Sequence, residues 1–479
     1  MAENAPSGQP LTLFKKQERI YPKRVLGRYR NLKWIFMVIT LGIYYATPFL
    51  RWDRGPHMPD QAVLIDLTHA RAYWFWFEIW PQEVYILTGI LIFSAILLFF
   101  VTSMFGRVWC GYFCFQTVWT DLFVWVERIV QGDRNQRKKL REGPWTGEKI
   151  IKLAITHALW LAIGWWTAGS FVLYFNDAPN LVKDFLHFDV SWTVLGFVIG
   201  LTLSTYLMAG FAREQVCTFM CPYARFQSAM FDKDTLIIGY DTQRGEPRGK
   251  HKKGEPWDNR GHCIDCTACV QVCPTGIDIR DGLQMECIAC GLCADACDDI
   301  MTKLELPKGL IRYDTERRME AKACGNPIEA KKWHVLRPRT VVYGTILAVI
   351  GVVLLGALIK RPLLEMNVLH HRSPLFVKLS NGDIRNGYDI KILNKTHDDQ
   401  VYALSVGGVD NPHITIEAAG YPDLDHLPVP AGKVGSYKVL IEALKPDAPS
   451  IPITFRLRSD NGLYTTEHET IFVSAKPRE

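Results

Sequence analysis

The sequence predicts a multi-domain membrane protein: a bundle of five helical spans, a cysteine-rich insert before the last of them, and an all-β C-terminal region. Three observations carry this. Five apolar runs approach the ~20 residues that a bilayer crossing takes. Eight of the 13 cysteines fall between Cys263 and Cys297. Beyond residue 360 cysteine is absent and short alternating segments take over. Bulk composition agrees. The 479 residues suffice for more than one domain, and 48% are hydrophobic while 22% are charged. The mean hydropathy of +0.01 fits spans joined to sizeable water-exposed parts.

Residues 1–31 form a basic tail with Lys15, Lys16, Arg19, Lys23, Arg24, Arg28 and Arg30. No cleavable signal peptide is evident, because the first apolar run starts late and no small-residue site follows it. The predicted spans are Leu32–Leu50, Val84–Phe105, Ile151–Phe175, Trp192–Phe211 and Val341–Ile359. The first four make a membrane domain over 32–211, and the fifth occupies 340–360. Loop charge predicts orientation. The loop 106–149 carries eight Lys or Arg, whereas 51–83 carries only Arg51, Arg54 and Arg71, and 176–191 only Lys183. The tail, 106–149 and 212–339 are therefore expected inside and the C-terminal region outside. Membrane lipid is an expected partner.

The insert, 212–339, holds the most specific pattern. It reads Cys263-x2-Cys266-x2-Cys269-x3-Cys273-Pro274, then Cys287-x2-Cys290-x2-Cys293-x3-Cys297. Such spacing wraps three sulfurs around one iron–sulfur cube while the fourth reaches to the other cube. The first [4Fe–4S] cluster would take Cys263, Cys266, Cys269 and Cys297. The second would take Cys287, Cys290, Cys293 and Cys273. This is a ferredoxin-like domain with two [4Fe–4S] clusters, and it moves single electrons. Zinc does not need three cysteines in a row followed by a fourth and a proline. A disulfide scaffold does not suit an inward-facing loop. Asp298 stands where the first half has Pro274.

Two shorter patterns follow the second and fourth spans: Cys110-x3-Cys114 and Cys217-x3-Cys221, each among aromatic residues. They read as an internal duplication. A spacing of four predicts both sulfurs of a pair on one helical face. Four thiolates meeting between helices would take a soft ion, copper(I) or zinc, or an iron–sulfur cluster; the bland alternative is small apolar side chains in a bundle. Cys324, with no nearby partner, reads as non-ligating.

Weaker candidates are Asp66 and His69, with His57 and Met58, for copper or a quinone head group, and Trp80-Pro81-Gln82-Glu83 as a helix cap. Asp121 and Glu127 lie on an amphipathic stretch expected along the membrane surface. His157 is polar within a span, which marks a possible site, or a neutral histidine paired to backbone. The basic run Arg244–Lys253 reads as a solvated linker, and no nucleic-acid partner is expected. No covalent haem motif, dinucleotide fingerprint or phosphate-binding loop is present.

Residues 361–479 show alternating segments at Asp389–Leu393, Val401–Val406, His413–Glu417, Tyr437–Ala443, Ile453–Leu457 and Thr470–Val473, separated by turns such as Asn381-Gly382 and Asp460-Asn461-Gly462. That predicts an immunoglobulin-like sandwich.

These features together resemble the FixG/CcoG family, assembly proteins for bacterial cbb-type haem–copper cytochrome oxidases. The resemblance rests on the five spans, the doubled Cys-x3-Cys and the outward sandwich. It also rests on the stretches Cys273-Pro274-Thr-Gly-Ile-Asp-Ile-Arg280, Gly282-Leu-Gln-Met-Glu-Cys287 and Cys297-Asp298. The resemblance implies reduction of copper(II) to copper(I) in the cytoplasmic membrane, an oxidoreductase activity. It makes Cys110, Cys114, Cys217 and Cys221 the copper-handling thiols. The implied partners are oxidase assembly factors and copper carriers, with an electron donor that the sequence does not name. Two other readings stand beside it: a quinol-linked electron-transfer subunit, and a non-catalytic redox sensor or assembly scaffold.

Overall fold

The structure, a computed structural model, describes residues 19–55, 58–251, 257, 260–325, 335–417, 423–446 and 448–474. Lys15, Lys16 and His57 lie outside the described residues, as do Lys252 and Lys253 of the basic run. The described residues fall into two units. One comprises the spans with the cysteine-rich insert; the other is the C-terminal sandwich, with which residues 51–62 and 74–77 also group.

Among the described residues five helices are long and apolar enough to cross a membrane: Arg28–Phe49, Pro81–Phe105, Gly147–Val172, Trp192–Met220 and Pro338–Ile359. Their starts follow local chemistry. Thr146 and Ser191 cap the third and fourth, each side chain accepting from a backbone N–H three residues on. The second opens on Pro81, and the Glu83 carboxylate accepts from the Trp80 N–H at 3.1 Å, as the sequence predicts. The fourth runs well past Phe211, through π turns at Met208–Ala212 and Val216–Met220. Hydropathy stops at Arg213, but the helix does not, because Arg213 pairs with Glu127 at 2.6 Å. A π turn leaves carbonyls ill matched to the ladder, and Gln116 Nε2 donates to Met208 O at 2.9 Å and Arg213 O at 3.2 Å.

The amphipathic stretch forms the helix Phe115–Gln131. It does not lie free on the membrane surface. Phe123 stacks on Trp160 with ring centroids 5.2 Å apart, and Trp160 Nε1 donates to Phe123 O at 3.2 Å. Asp121 and Glu127 are charge anchors. Arg30 reaches Asp121 at 2.8 Å. Glu127 is buried and takes Arg213, Arg137 at 2.8 Å and Arg19 at 3.2 Å. His157 is paired by a side chain and not by backbone, with Tyr206 Oη at 3.0 Å.

The insert folds around two short helices, Ala268–Val272 and Leu292–Lys303, and an antiparallel pair of strands, Leu236–Tyr240 and Ile311–Thr315. Its core joins Ile238, Ile279, Met301 and Leu310 to cysteines of the array. The helix Leu292–Lys303, which carries Cys293 and Cys297, continues through Asp298, whose carboxylate accepts from the Gly309 N–H at 2.8 Å. The first short helix instead ends at Val272, before Cys273. Proline therefore suits position 274 and not position 298, which lies inside a helix. Arg244, expected in a solvated linker, is tied down by His262 at 2.9 Å and Lys308 O at 3.0 Å. The tail after Arg19 is a strap. Lys23 N–H donates to Gln271 O at 2.8 Å, and the Tyr29 and Arg30 N–H groups both donate to the Asp295 carboxylate.

The C-terminal unit is a sandwich of two antiparallel sheets. One orders His413–Glu417, Val434–Ala443, Ile384–Asn394 and Leu364–His370, with Val377–Lys378 alongside; the other orders Leu427–Val429, Gln400–Gly407, Ser450–Ser459 and Thr465–Val473. Alternate residues of each strand point inward, and Tyr388, Val439, Tyr402 and Phe455 fill the space between. Buried Asn394 fixes one end. Its amide donates to Asp398 O and Val429 O at 2.9 and 3.0 Å, and its oxygen accepts from Thr396 N–H at 3.0 Å.

Candidate functional site

The eight cysteines of the array line two adjoining cavities. Cys263, Cys266, Cys269 and Cys297 line one. Cys273, Cys287, Cys290 and Cys293 line the other, and Cys269 stands at the border of both. The remaining walls are chiefly apolar, with Ile238, Ile277 and Ile288 around one and Leu310, Ile300 and Met301 around the other. The backbone repeats as the sequence does. Asp265 and Thr267 take positive φ, and so do Ala289 and Gly291 at the matching places. Thr267, β-branched at φ 54°, sits in a conformation that costs of order 1–3 kcal/mol. These turns aim N–H groups inward: Val270 donates to Cys269, Ala289 to Cys287 and Leu292 to Cys290. Burial pushes the thiols up, to about 12 for Cys269, Cys287 and Cys297 and about 11 for Cys290. A proton is expensive to remove there unless a cation replaces it. Sulfurs in fours, inward N–H donors and dry walls fit a [4Fe–4S] group at each cavity.

The two Cys-x3-Cys pairs come together. Cys110, Cys114, Cys217 and Cys221 lie within electrostatic reach of one another. The expected single helical face is not found. Cys110 lies in the helix Val108–Tyr112, and Cys114 is extended (φ −60°, ψ 125°) before the next helix. Cys217 lies in the second π turn, and Cys221 is extended (φ −78°, ψ 111°) before Pro222–Met230. Proline excludes a helical residue before it, which explains Cys221. Both second cysteines thus sit at helix N-termini, where negative charge is favoured. Burial pushes the Cys110 thiol up to about 11. Fully buried Gln227 donates Nε2 to its sulfur at 3.4 Å. Among the described residues no three His, Cys, Asp or Glu converge tightly enough for a single metal ion.

The membrane-border thiols abut the second cavity. Gly111, between Cys110 and Cys114, lies so close that a Cβ would stand 2.8 Å from Ile288 O, 2.9 Å from Ala289 O and 3.1 Å from Cys290 Cα. Cys110 itself packs in a cluster with Cys290, Ile288 and Leu292. Tyr112 Oη donates to Cys290 O at 3.1 Å, and Tyr313 Oη to Ala289 O at 2.5 Å. Arg107, buried, bonds Cys287 O at 3.4 Å, Met285 O, and Ala224 O at 2.5 Å in the helix after Cys221. At the far end Cys266 is exposed.

Gly111, Arg107, Tyr313 and the role of Gln227 escape the sequence reading. Only the polar Arg107 and Gln227 beside apolar runs offer a signal. Asp66 and His69 bond each other at 2.6 Å with His69 largely exposed, and Cys324 is exposed at a helix end.

Comparison with known proteins agrees with this organisation. Residues 212–316 match a 4Fe-4S dicluster domain, residues 86–132 a 4Fe-4S binding domain, and residues 354–475 the IG-like fold at the C-terminal of FixG. Nitrogen fixation protein FixG of Rhizobium meliloti is 46% identical over 461 residues, covering 90% of this chain and 87% of that protein. Protein RdxB of Cereibacter sphaeroides is 45% identical over 477 residues, 98% of each chain. Protein RdxA of the same organism is 43% identical, covering 91% of this chain and 92% of that one. With such identity along almost its whole length, and with iron–sulfur domains, candidate spans and sandwich all in place, the chain belongs to the FixG family.

Proposed function

We propose that this protein reduces copper(II) to copper(I) at the membrane border, in support of copper delivery to a cbb-type cytochrome oxidase. The observation that carries it is the seating of Cys110 and Gly111 directly on the Ile288–Cys290 loop. In this reading Cys263, Cys266, Cys269 and Cys297 hold one [4Fe–4S] cluster, and Cys273, Cys287, Cys290 and Cys293 the other. Clusters so held supply one-electron chemistry. The chain's own residues do the rest. Cys110, Cys114, Cys217 and Cys221 draw together on copper(II) and release their protons. Their soft sulfurs favour the copper(I) that forms when the ion takes up one electron. Arg107 and the Gln227 amide steady the negative charge left on the thiolates. The electron originates with a donor outside the chain, and exposed Cys266 marks where such a donor approaches. The insert faces the cytosol, and the sandwich faces outward toward assembly partners and copper carriers.

A second reading has one observation behind it. The matched 4Fe-4S binding domain, residues 86–132, contains Cys110 and Cys114, so the four border thiols would hold a third cluster in a quinol-linked carrier. Anaerobic protein separates the two. Dithionite-reduced protein is mixed with copper(II), and cluster reoxidation is followed together with trapping of copper(I) by a chelator. The proposal expects one copper(I) per electron, abolished by Cys110→Ser or Cys221→Ser with iron and sulfide content unchanged. Iron and sulfide that fall in those variants, with no copper(I) formed, would replace it with the third cluster.

A further inference from the structure

A small cavity opens beside the third span, and three arginines line it together with Tyr21, Gln131, Thr156 and His157. Arg19 comes from the strap, and Arg137 and Arg141 from the short helix Arg134–Glu142. Among the described residues Glu127 is the one carboxylate in the lining. It is already shared among Arg213, Arg137 and Arg19. Glu214, the next acidic neighbour of Arg213, lines a different cavity. Arg137 is buried, and its Nε has no hydrogen-bond partner. The Arg141 side chain is exposed and makes no hydrogen bond or ion pair among the described residues. Positive charge is thus gathered well beyond what one carboxylate neutralises.

Its depth matters. Leu153 and Trp160 are the sixth and thirteenth residues after Gly147, where the third span begins. At 3.6 residues per turn these two lie roughly two and nearly four turns into that span. Uncompensated charge at such depth is costly and calls for a counter-ion. Leu140, Leu153 and Trp160 add apolar carbon to the same lining. Guanidinium groups and apolar carbon side by side suit the junction of a phosphate head group and its acyl chains. Arginine is suited to this, because its planar fork bonds phosphate oxygens in pairs. Basic pockets between spans bind acidic lipid head groups in the same way.

We propose that Arg19, Arg137 and Arg141 form a binding site for a phosphate-bearing anion, occupied in the membrane by the head group of an acidic phospholipid. The site is separate from the cysteine sites and does not depend on the function proposed for them. The lipid phosphate accepts from Arg141 and Arg19, and Arg137 remains bound to Glu127.

The test uses the full-length protein in detergent, titrated with phosphatidylglycerol, phosphatidylcholine or inorganic phosphate and read by native mass spectrometry. One phosphatidylglycerol should be retained through delipidation in preference to phosphatidylcholine. Arg141→Gln should weaken that retention about tenfold, the worth of one charge-assisted bond. The Arg141 side chain has no partner among the described residues, so this variant should keep its melting temperature; Lys138→Gln, on the same helix but paired with Glu142, should retain lipid as wild type does. Retention of inorganic phosphate that weakens equally in Arg141→Gln supports the anion site and assigns it a soluble occupant. Equal retention of the two lipids, or retention that Arg141→Gln leaves unchanged, overturns the proposal.

Discussion

Replacing Gly111 with alanine tests the junction between the border thiols and the iron–sulfur insert. Elsewhere in a helix this change gains up to ~1 kcal/mol, because alanine is the better helix former. Here the added methyl meets two carbonyl oxygens at 2.8 and 2.9 Å, where ordinary contacts begin near 3.4 Å. The Ile288–Cys290 loop must retreat by about half an ångström. It is poorly free to do so, because Tyr313 holds Ala289 O and Tyr112 holds Cys290 O. Overpacking of this kind costs ~1–3 kcal/mol, and loosening one of those bonds about 1 more. The clash therefore outweighs the helical gain, and a net loss of about 1–2 kcal/mol follows, roughly tenfold in the folding equilibrium. Anaerobic urea unfolding of Gly111→Ala, followed through cluster absorbance, measures it. The paramagnetic resonance of the cluster at Cys287, Cys290 and Cys293 should shift, and copper(I) formation should slow, while the other cluster keeps its signal. An alanine variant with unaltered stability, resonance and copper(I) rate would refute the direct seating of one site on the other.

Three further changes address other parts of the argument. Asp298→Pro should cost ~3 kcal/mol and deplete iron at the set containing Cys297 first, because proline interrupts Leu292–Lys303; full iron content at both sets would contradict this. Glu127→Gln should cost ~3–5 kcal/mol by stranding buried guanidinium groups. Burial alone would raise the Glu127 carboxyl, but Arg213, Arg137 and Arg19 together hold it below its ordinary value. Its stabilisation is then complete above the usual carboxylate range and is lost as pH falls through the depressed value. Melting temperature against pH should show an acid-side decline in the wild type that is blunted in Glu127→Gln, and parallel curves would argue against the ion cluster. Asn394→Ala should lower the stability of the sandwich by ~2–4 kcal/mol, since it strands several buried partners at once; a differential scanning trace with an unmoved sandwich transition would disprove it.

Local pattern carries most of the fold. Spans announce themselves by hydropathy, and strands such as His413–Glu417 by alternation. The end of the fourth span does not, because the ion pair that extends it joins Arg213 to a residue 86 positions earlier. The strands Leu364–His370 and Leu427–Val429 are short or follow directly on an apolar span, so no turn signal isolates them. In the site, the spacing rule groups Cys273 with the second run and Cys297 with the first, and the same sets line the two cavities. The break within each Cys-x3-Cys pair is signalled at Pro222 and at no residue near Cys114. Gly111 is silent in sequence, since its importance is a backbone approach from residues almost 180 positions away.

The strap from Arg19 to Arg30 carries a consequence for assembly. Its backbone amides bind Asp295, 265 and 266 positions downstream. This segment, made long before the helix Leu292–Lys303, thus waits for that helix before its backbone amides are paired. Until the insert is folded, the start of the first span is held only from the Phe115–Gln131 side, through Asp121 and Glu127. Full closure of the amino end therefore follows folding of the insert, and a protein starved of iron should be clipped by proteases within this segment more readily than the iron-replete protein.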